Sequence, residues 1–129
     1  MPATLRPATP ADIPAIQRIY AHHVLHGFAS FEEVPPDAAE LTRRLNAIVE
    51  AGLPYICAVD SAGATVLGYA YAGPYRPRSA YRFCVEDSIY LAPEATGRGI
   101  GRALLERLIE RCTEIGKRQM VAVIGDSAN

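Results

Sequence analysis

Nowhere does the sequence hold an apolar run of the roughly 18 residues that a membrane-spanning helix requires; Asp, Glu or Arg interrupts every candidate. Residues Met1 to Arg6 lack the apolar centre of a secretory signal peptide. Neither sign of charge dominates: 13 Lys and Arg stand against 14 Asp and Glu, for a formal net charge of -1 and a pI of about 6.3. That balance supplies no basic field for a nucleic-acid backbone and no charged tail. Cysteine is scarce as well. Cys57, Cys84 and Cys112 are odd in number, far apart and free of any C-x-x-C pairing, so neither a disulfide framework nor a zinc site is indicated, and buried reduced thiols are expected. Repeats and low-complexity linkers are absent. The expectation is a soluble cytoplasmic protein with neither nucleic acid nor membrane as partner. At 129 residues, half of them hydrophobic, the chain has enough material for one core and too little for two, so residues 1–129 are read as a single domain.

What is present is an ordered series of element signals. Thr9, Pro10 and Asp12 form a helix start, with Ile13, Ile16, Ile19 and Tyr20 as a buried stripe running to His22–Gly27. Asp37 and Glu40 open a second helix carrying Leu41, Leu45, Ile48 and Val49, and Gly52 stops it. Two helices therefore precede the sheet, separated by the loop "GFASFEEVPP". "YICAV" and "TVLGYAYA" flank the turn composition of Asp60 to Gly63 and read as an antiparallel pair. Tyr81 to Leu91 reads as a longer strand ended by Pro93. A helix from Gly99 or Ile100 to Gly116 follows, and "QMVAVIG" is a strand without alternation, expected to be buried on both faces. The order is β-α-α-β-β-β-α-β, an α/β domain with a mixed, mostly antiparallel sheet.

Gly97, Gly99 and Gly101 interleave with Arg98, Ile100 and Arg102 at the mouth of the third helix. The first turn of a helix presents amides without intrahelical acceptors and carries partial positive charge, so it attracts anions. Glycines let a phosphate approach those amides and permit positive φ, while the two arginines add formal charge. The stretch reads as a pyrophosphate cradle. A nucleotide-hydrolysing P-loop would need Lys and Ser or Thr after its last glycine, where Arg102 and Ala103 stand. A dinucleotide fold would need G-x-G-x-x-G after a first strand, and this run is G-x-G-x-G after a hairpin.

"IYLAPEATGRGIGRALLERLIERC" resembles the acetyl-CoA motif of the GCN5-related N-acetyltransferases (GNAT), with Gly99 and Gly101 at its glycine positions and Thr96 where Gln or Arg is usual. "FASFEEVPP", "YAYAGPYRPRSAYRFCVEDSIYL" and "VAVIGDSAN" are similar to the branch that acetylates phosphinothricin and methionine sulfoximine. The resemblance implies acetyl transfer from acetyl-CoA to the α-amine of a small amino-acid analogue, by a homodimer. It implies cofactor contacts at Ile89, Tyr90, Leu91, Gly97, Arg98, Gly99, Ile100, Gly101, Arg102 and Asn129. The backbone at Ile89 and Leu91 would hold the pantetheine arm and polarise the thioester carbonyl. The sheet would splay between the Glu86 strand and the "VAVIG" strand to admit that arm.

An ammonium has no lone pair with which to attack a thioester, so a base is needed. Glu86, in a strand with apolar neighbours, is the candidate, because burial raises a carboxylate towards the useful range. A structural pairing of Glu86 with Arg82 or Arg78 is the alternative. Asp87 points to the opposite face and is the weaker candidate. Arg76 and Arg78 fall where the family holds the acceptor carboxylate, and solvated surface arginines would look alike. Phe31 and Tyr81 are candidate pocket walls or ordinary core aromatics. His22, His23 and His26 lack a third-ligand pattern and suit a helix C-terminus, so no metal is expected. Cys84 has no histidine partner in sequence and is read as packing.

Two other readings stay open: a CoA-binding domain without turnover, and acetylation of protein N-termini or polyamines on the same fold. The chain ends at Asn129, directly after a core strand, and family members continue with a helix and two strands; the expectation is an incomplete domain whose C-terminal helix and strands are missing.

Overall fold

The structure, a computed structural model, describes residues 3–26, 34–60, 62–63, 65–74, 84–117 and 119–122. In chain order these form β1 (Thr4–Pro7), α1 (Ile13–Leu25), α2 (Ala38–Glu50), β2 (Tyr55–Val59), β3 (Val66–Pro74), β4 (Cys84–Leu91), α3 (Ile100–Glu114) and β5 (Gln119–Ala122). The strands make one sheet in sequence order, antiparallel from β1 to β4 and parallel between β4 and β5. The order of elements is the expected β-α-α-β-β-β-α-β, but the helices do not precede the whole sheet: β1, ahead of both, takes the edge beside β2. Of the expected strand over residues 81–91, residues 81–83 lie outside the described residues, as does "VIG" after β5. The expected burial of β5 on both faces also concerns side chains outside the description.

A single 3₁₀ turn, Pro10–Asp12, leads into α1. Its acid does more than cap. Asp12 accepts from the Thr9 amide at 2.8 Å and takes both terminal nitrogens of Arg6, at 2.7 and 2.8 Å, tying β1 to the start of α1. The Arg6 hydrogen bonds, helped by those from Thr9, hold the Asp12 carboxyl below the usual carboxylate range although burial pushes it the other way. Asp37 caps α2 by accepting from the Glu40 amide at 2.8 Å. At the other end Leu53 and Gly52 donate back to Ile48 and Val49, which closes the helix where the glycine was expected to stop it.

The strand period of two divides the core. Tyr90 meets Tyr20 and His23 of α1, whereas its neighbour Leu91 lies beside Leu104 and Gly101 of α3. Helices α1 and α2 therefore cover one face and α3 covers the other. Tyr55, Tyr69 and Tyr71 line the first face; Ala72, Val85 and Cys112 pack on the second. Cys57 and Cys112 are buried free thiols, and burial pushes Cys57 up to about 12. Neutral thiols of this kind are packing groups. The Cys84 side chain lies outside the described residues.

Candidate active site

The glycine stretch has the geometry that an anion cradle requires. After Ala92 the chain makes a short 3₁₀ turn, Pro93–Ala95, which the Thr96 hydroxyl caps by donating to Pro93 O at 3.1 Å. Gly97 and Gly99 then adopt φ of 77° and 76°. A Cβ at either would meet no described atom within 4 Å, so the left-handed backbone, and not crowding, calls for glycine. Gly99 is the N-cap of α3, and the first helical bond is Ala103 N to Gly99 O at 3.1 Å. The amides of Ile100, Gly101 and Arg102 precede that bond and have no acceptor within the helix. Gly101 sits over Leu91, where a Cβ would come to 3.6 Å of Cδ1, an ordinary contact. Arg98 is exposed, and Arg102 Nε reaches along the helix to Glu106 Oε1 at 3.1 Å.

Backbone direction along β4 follows from a single bond. Ala92 N donates to Leu67 O at 2.9 Å. With the register Gly68↔Leu91 through Gly73↔Glu86, that makes Tyr69/Tyr90, Tyr71/Ser88 and Gly73/Glu86 the hydrogen-bonded pairs of the β3–β4 ladder. The intervening residues Asp87, Ile89 and Leu91 turn their amides and carbonyls away from β3, to the β5 side. Pairing with β5 extends from Cys84↔Gln119 to Asp87↔Ala122, so the Ile89 and Leu91 groups lie just past it. The splay expected there concerns residues 123–129, outside the described residues. The Leu91 carbonyl is already engaged: His23 Nε2 lies 2.9 Å from it, and a carbonyl only accepts, so this nitrogen carries the proton. Sequence spacing held no signal for that contact.

Glu86 is half-buried, and it is Asp87 that is buried, at 4% exposure. The burial expected of Glu86 thus belongs in larger part to its neighbour, because β4 turns Asp87 under α3 near Cys112 and turns Glu86 to the tyrosine face beside Gly73. Of the remaining expected site residues, Phe31, Arg76, Arg78, Tyr81 and Asn129 lie outside the described residues, as does Arg82. The His22 and His26 rings lie 4.3 Å apart, tilted at 45°, on the outer side of α1, while His23 turns inward. Among the described residues no group of three His, Cys, Asp or Glu side chains is placed to hold a metal, and no helix is long and apolar enough to cross a membrane.

A cavity on the α2 side is walled by residues that sequence spacing did not single out as a site. Tyr20, Leu41, Ile48, Tyr55, Tyr69 and Tyr71 wall a cavity of about 250 Å³ that extends to Gly73. The alternation Tyr69, Tyr71 was the available signal, since a period of two puts both rings on one face.

Residues 16–129 match the acetyltransferase (GNAT) family. Phosphinothricin N-acetyltransferase of Alcaligenes faecalis is 55% identical over 126 residues, 98% of this chain and 63% of that protein. The chain thus spans less than two thirds of that relative's length. A methionine sulfoximine and methionine sulfone acetyltransferase of Pseudomonas paraeruginosa is 40% identical over 96% of this chain and 72% of its own. Among solved structures, a GNAT-superfamily phosphinothricin acetyltransferase of Sinorhizobium meliloti in complex with acetyl-CoA superposes with a TM-score of 0.93 at 56% identity, covering 97% of this chain and 67% of that one.

Proposed function

The chain belongs to the acetyltransferase (GNAT) family, and from that premise we propose that it moves an acetyl group from acetyl-CoA to the α-amine of a small amino-acid analogue of the phosphinothricin, methionine sulfoximine or sulfone type. The observation that carries this reading is the pair of left-handed glycines, Gly97 and Gly99, that lays open the first amides of α3 directly after β4. Those amides, with Arg98 and Arg102 beside them, would receive a pyrophosphate. The Ile89 and Leu91 backbone, turned from β3, supplies groups for an extended pantetheine arm and an amide donor for the thioester oxygen. The names of the Alcaligenes and Pseudomonas relatives support the acceptor class, and the Sinorhizobium complex supports acetyl-CoA.

In this reading Glu86, at half-burial on the tyrosine face, takes the amine proton directly or through a water. The amine nitrogen then bonds to the acetyl carbon, the carbon–sulfur bond breaks, and the second nitrogen proton passes to the departing thiolate, so that CoA leaves as its thiol. Arg76 and Arg78 hold the acceptor carboxylate, and Phe31 and Tyr81 wall the pocket. Residues 1–129 belong to a single N-acetyltransferase domain of which they are an incomplete part, in a protein that is cytoplasmic and homodimeric; the large apolar side chains exposed at Leu25 and Val34 support association.

The test is Glu86→Gln. This variant keeps the size of the side chain and most of its hydrogen bonds but cannot accept a proton. Acetyl-CoA affinity should hold while turnover falls by about 10²- to 10⁴-fold, and the acidic limb of the kcat/KM profile should vanish. Retention of both rate and acidic limb would remove Glu86 as the base.

A further inference from the structure

Leu91, the last residue of β4, is held at more points than a strand end requires. Its side chain spans two glycines: a Cβ on Gly68 would come to 2.7 Å of Cδ2, and one on Gly101 to 3.6 Å of Cδ1. One methyl group therefore lies on β3 and the other on the first turn of α3. The Leu91 carbonyl accepts from His23 Nε2 at 2.9 Å. The amide of that same peptide unit, Ala92 N–H, donates to Leu67 O at 2.9 Å. A peptide that accepts at one end and donates at the other has its plane fixed, and each bond polarises the other. The preceding peptide is fixed as well, because Tyr90 is the hydrogen-bonded partner of Tyr69 in the β3–β4 ladder. With both flanking planes held, the Leu91 amide keeps one direction.

His23 is the member of this set that the sheet does not explain. Among the described residues the pairing of β4 with β5 ends at Asp87↔Ala122, short of Leu91. A strand carbonyl beyond its ladder is met by a neighbouring strand or by solvent. Here an imidazole from α1, buried at 5% exposure, takes that place. Burial strips an imidazole of hydration that an apolar side chain would not lose. The ring also packs on Tyr90, with centroids 5.5 Å apart, a contact that an apolar residue would make as well. What histidine adds at this position is the donor.

We infer that His23 is a positioning residue for acetyl-CoA: by holding the Leu91 peptide it sets the spacing between the β4 groups that meet the pantetheine arm and the α3 amides that meet the pyrophosphate. This rests on the cofactor reading above. Both sets of groups serve one ligand molecule, and Leu91 joins them, since Gly101, whose amide opens at the α3 terminus, sits on its Cδ1. A ligand that bridges two anchoring points binds more tightly when their separation is fixed beforehand than when binding must impose it. The bond from His23 acts through Leu91 and is not itself a contact with the ligand.

The experiment compares two ligands: ADP brings a pyrophosphate to the glycine cradle alone, whereas CoA reaches the cradle and β4. Calorimetric titration of CoA, and displacement of CoA by ADP, are measured on the native protein, on His23→Phe and on His23→Gln. Phenylalanine keeps a ring against Tyr90 without a donor, and glutamine restores an N–H donor at similar reach. His23→Phe should weaken CoA about 10-fold, the worth of one hydrogen bond, and leave ADP within about 2-fold of native. His23→Gln should recover most of the CoA affinity. A histidine with a structural role alone would lower the melting temperature without separating the two ligands. Equal losses for CoA and ADP, no loss for either, or a glutamine variant no better than phenylalanine would each overturn the inference and leave the acetyl-CoA reading standing. Failure of ADP to displace CoA from the native protein would overturn the inference together with the cradle. A loss confined to CoA would uphold it whether or not acetyl transfer is found. Should His23→Phe not fold, amide hydrogen exchange on the free native protein decides: the Ala92 amide should exchange at least about 100-fold more slowly than an exposed amide. Exchange as fast as that of an exposed amide would mean that the Leu91 peptide is not held before the ligand arrives, and would overturn the inference.

Discussion

His23 donates its Nε2 proton to the carbonyl of Leu91, 2.9 Å away in space and 68 residues along the chain. Helix α1 is thereby fastened to the last residue of β4, where the strand gives way to the glycine loop. His23 is buried at 5% exposure and Leu91 at 8%, so water cannot readily replace the bond.

Replacing His23 with Ala should therefore cost about 1–3 kcal/mol, the penalty of leaving a buried acceptor unmade. Urea unfolding at neutral pH measures it. A loss below about 0.5 kcal/mol, the level of an ordinary surface change, would mean that the carbonyl finds another donor and that the contact does not fasten β4.

Gly99 should discriminate conformation from packing. At φ 76° with open space around it, Gly99→Ala and Gly99→Val both strain the backbone, by roughly 1–2 kcal/mol for leaving glycine. Both should lose most of the rise in melting temperature that CoA gives the native chain. If Gly99→Val keeps the full CoA-dependent shift, the cradle is not at this helix terminus.

Two strand glycines should behave oppositely. A Cβ on Gly68 would lie 2.7 Å from Leu91 Cδ2 and 2.9 Å from the Tyr90 carbonyl oxygen, and the second is backbone and cannot swing aside. Gly68→Ala should destabilise by about 1–3 kcal/mol through overpacking. Gly73→Ala, with nothing in the way, should be neutral or stabilising by up to about 1 kcal/mol. Equal melting shifts for the two variants would contradict this account of β3.

Acid stability should depend on Asp12. Its folded pKa is lowered, chiefly by the Arg6 hydrogen bonds, so the stability it contributes is complete above its unfolded value of about 3.9 and is lost as pH falls through the lower folded value. Asp12→Asn should cost about 1–3 kcal/mol at pH 7 and should flatten the fall in urea midpoint below pH 4. An unaltered acid slope in the variant would assign that fall to other carboxylates.

Much of this protein is legible in one dimension because its signals are local. Thr9, Asp37, Gly52 and Gly116 announce helix ends through bonds that span five residues or fewer, and period-two or 3.6-residue patterns select strand or helix without reference to the rest of the chain. The Gly97–Arg102 cradle belongs to this class, since a helix terminus and two positive-φ glycines are properties of six consecutive residues. Glu86 and Asp87 mark the boundary. Alternation says that they face opposite ways, but which of them is buried depends on α3 lying over one face of β4, and that was settled by packing. The bonds from His23 to Leu91 and from Arg6 to Asp12, the crowding at Gly68, and the cross-strand pairing of Gly73 with Glu86 were decided by tertiary structure alone. Each joins residues from different elements, and its strength depends on angles and ångströms set by how helices seat on the sheet. A sequence records which residues can make such contacts; the shared low-dielectric interior, where an unmade bond or a misplaced methyl group costs free energy, selects those that form.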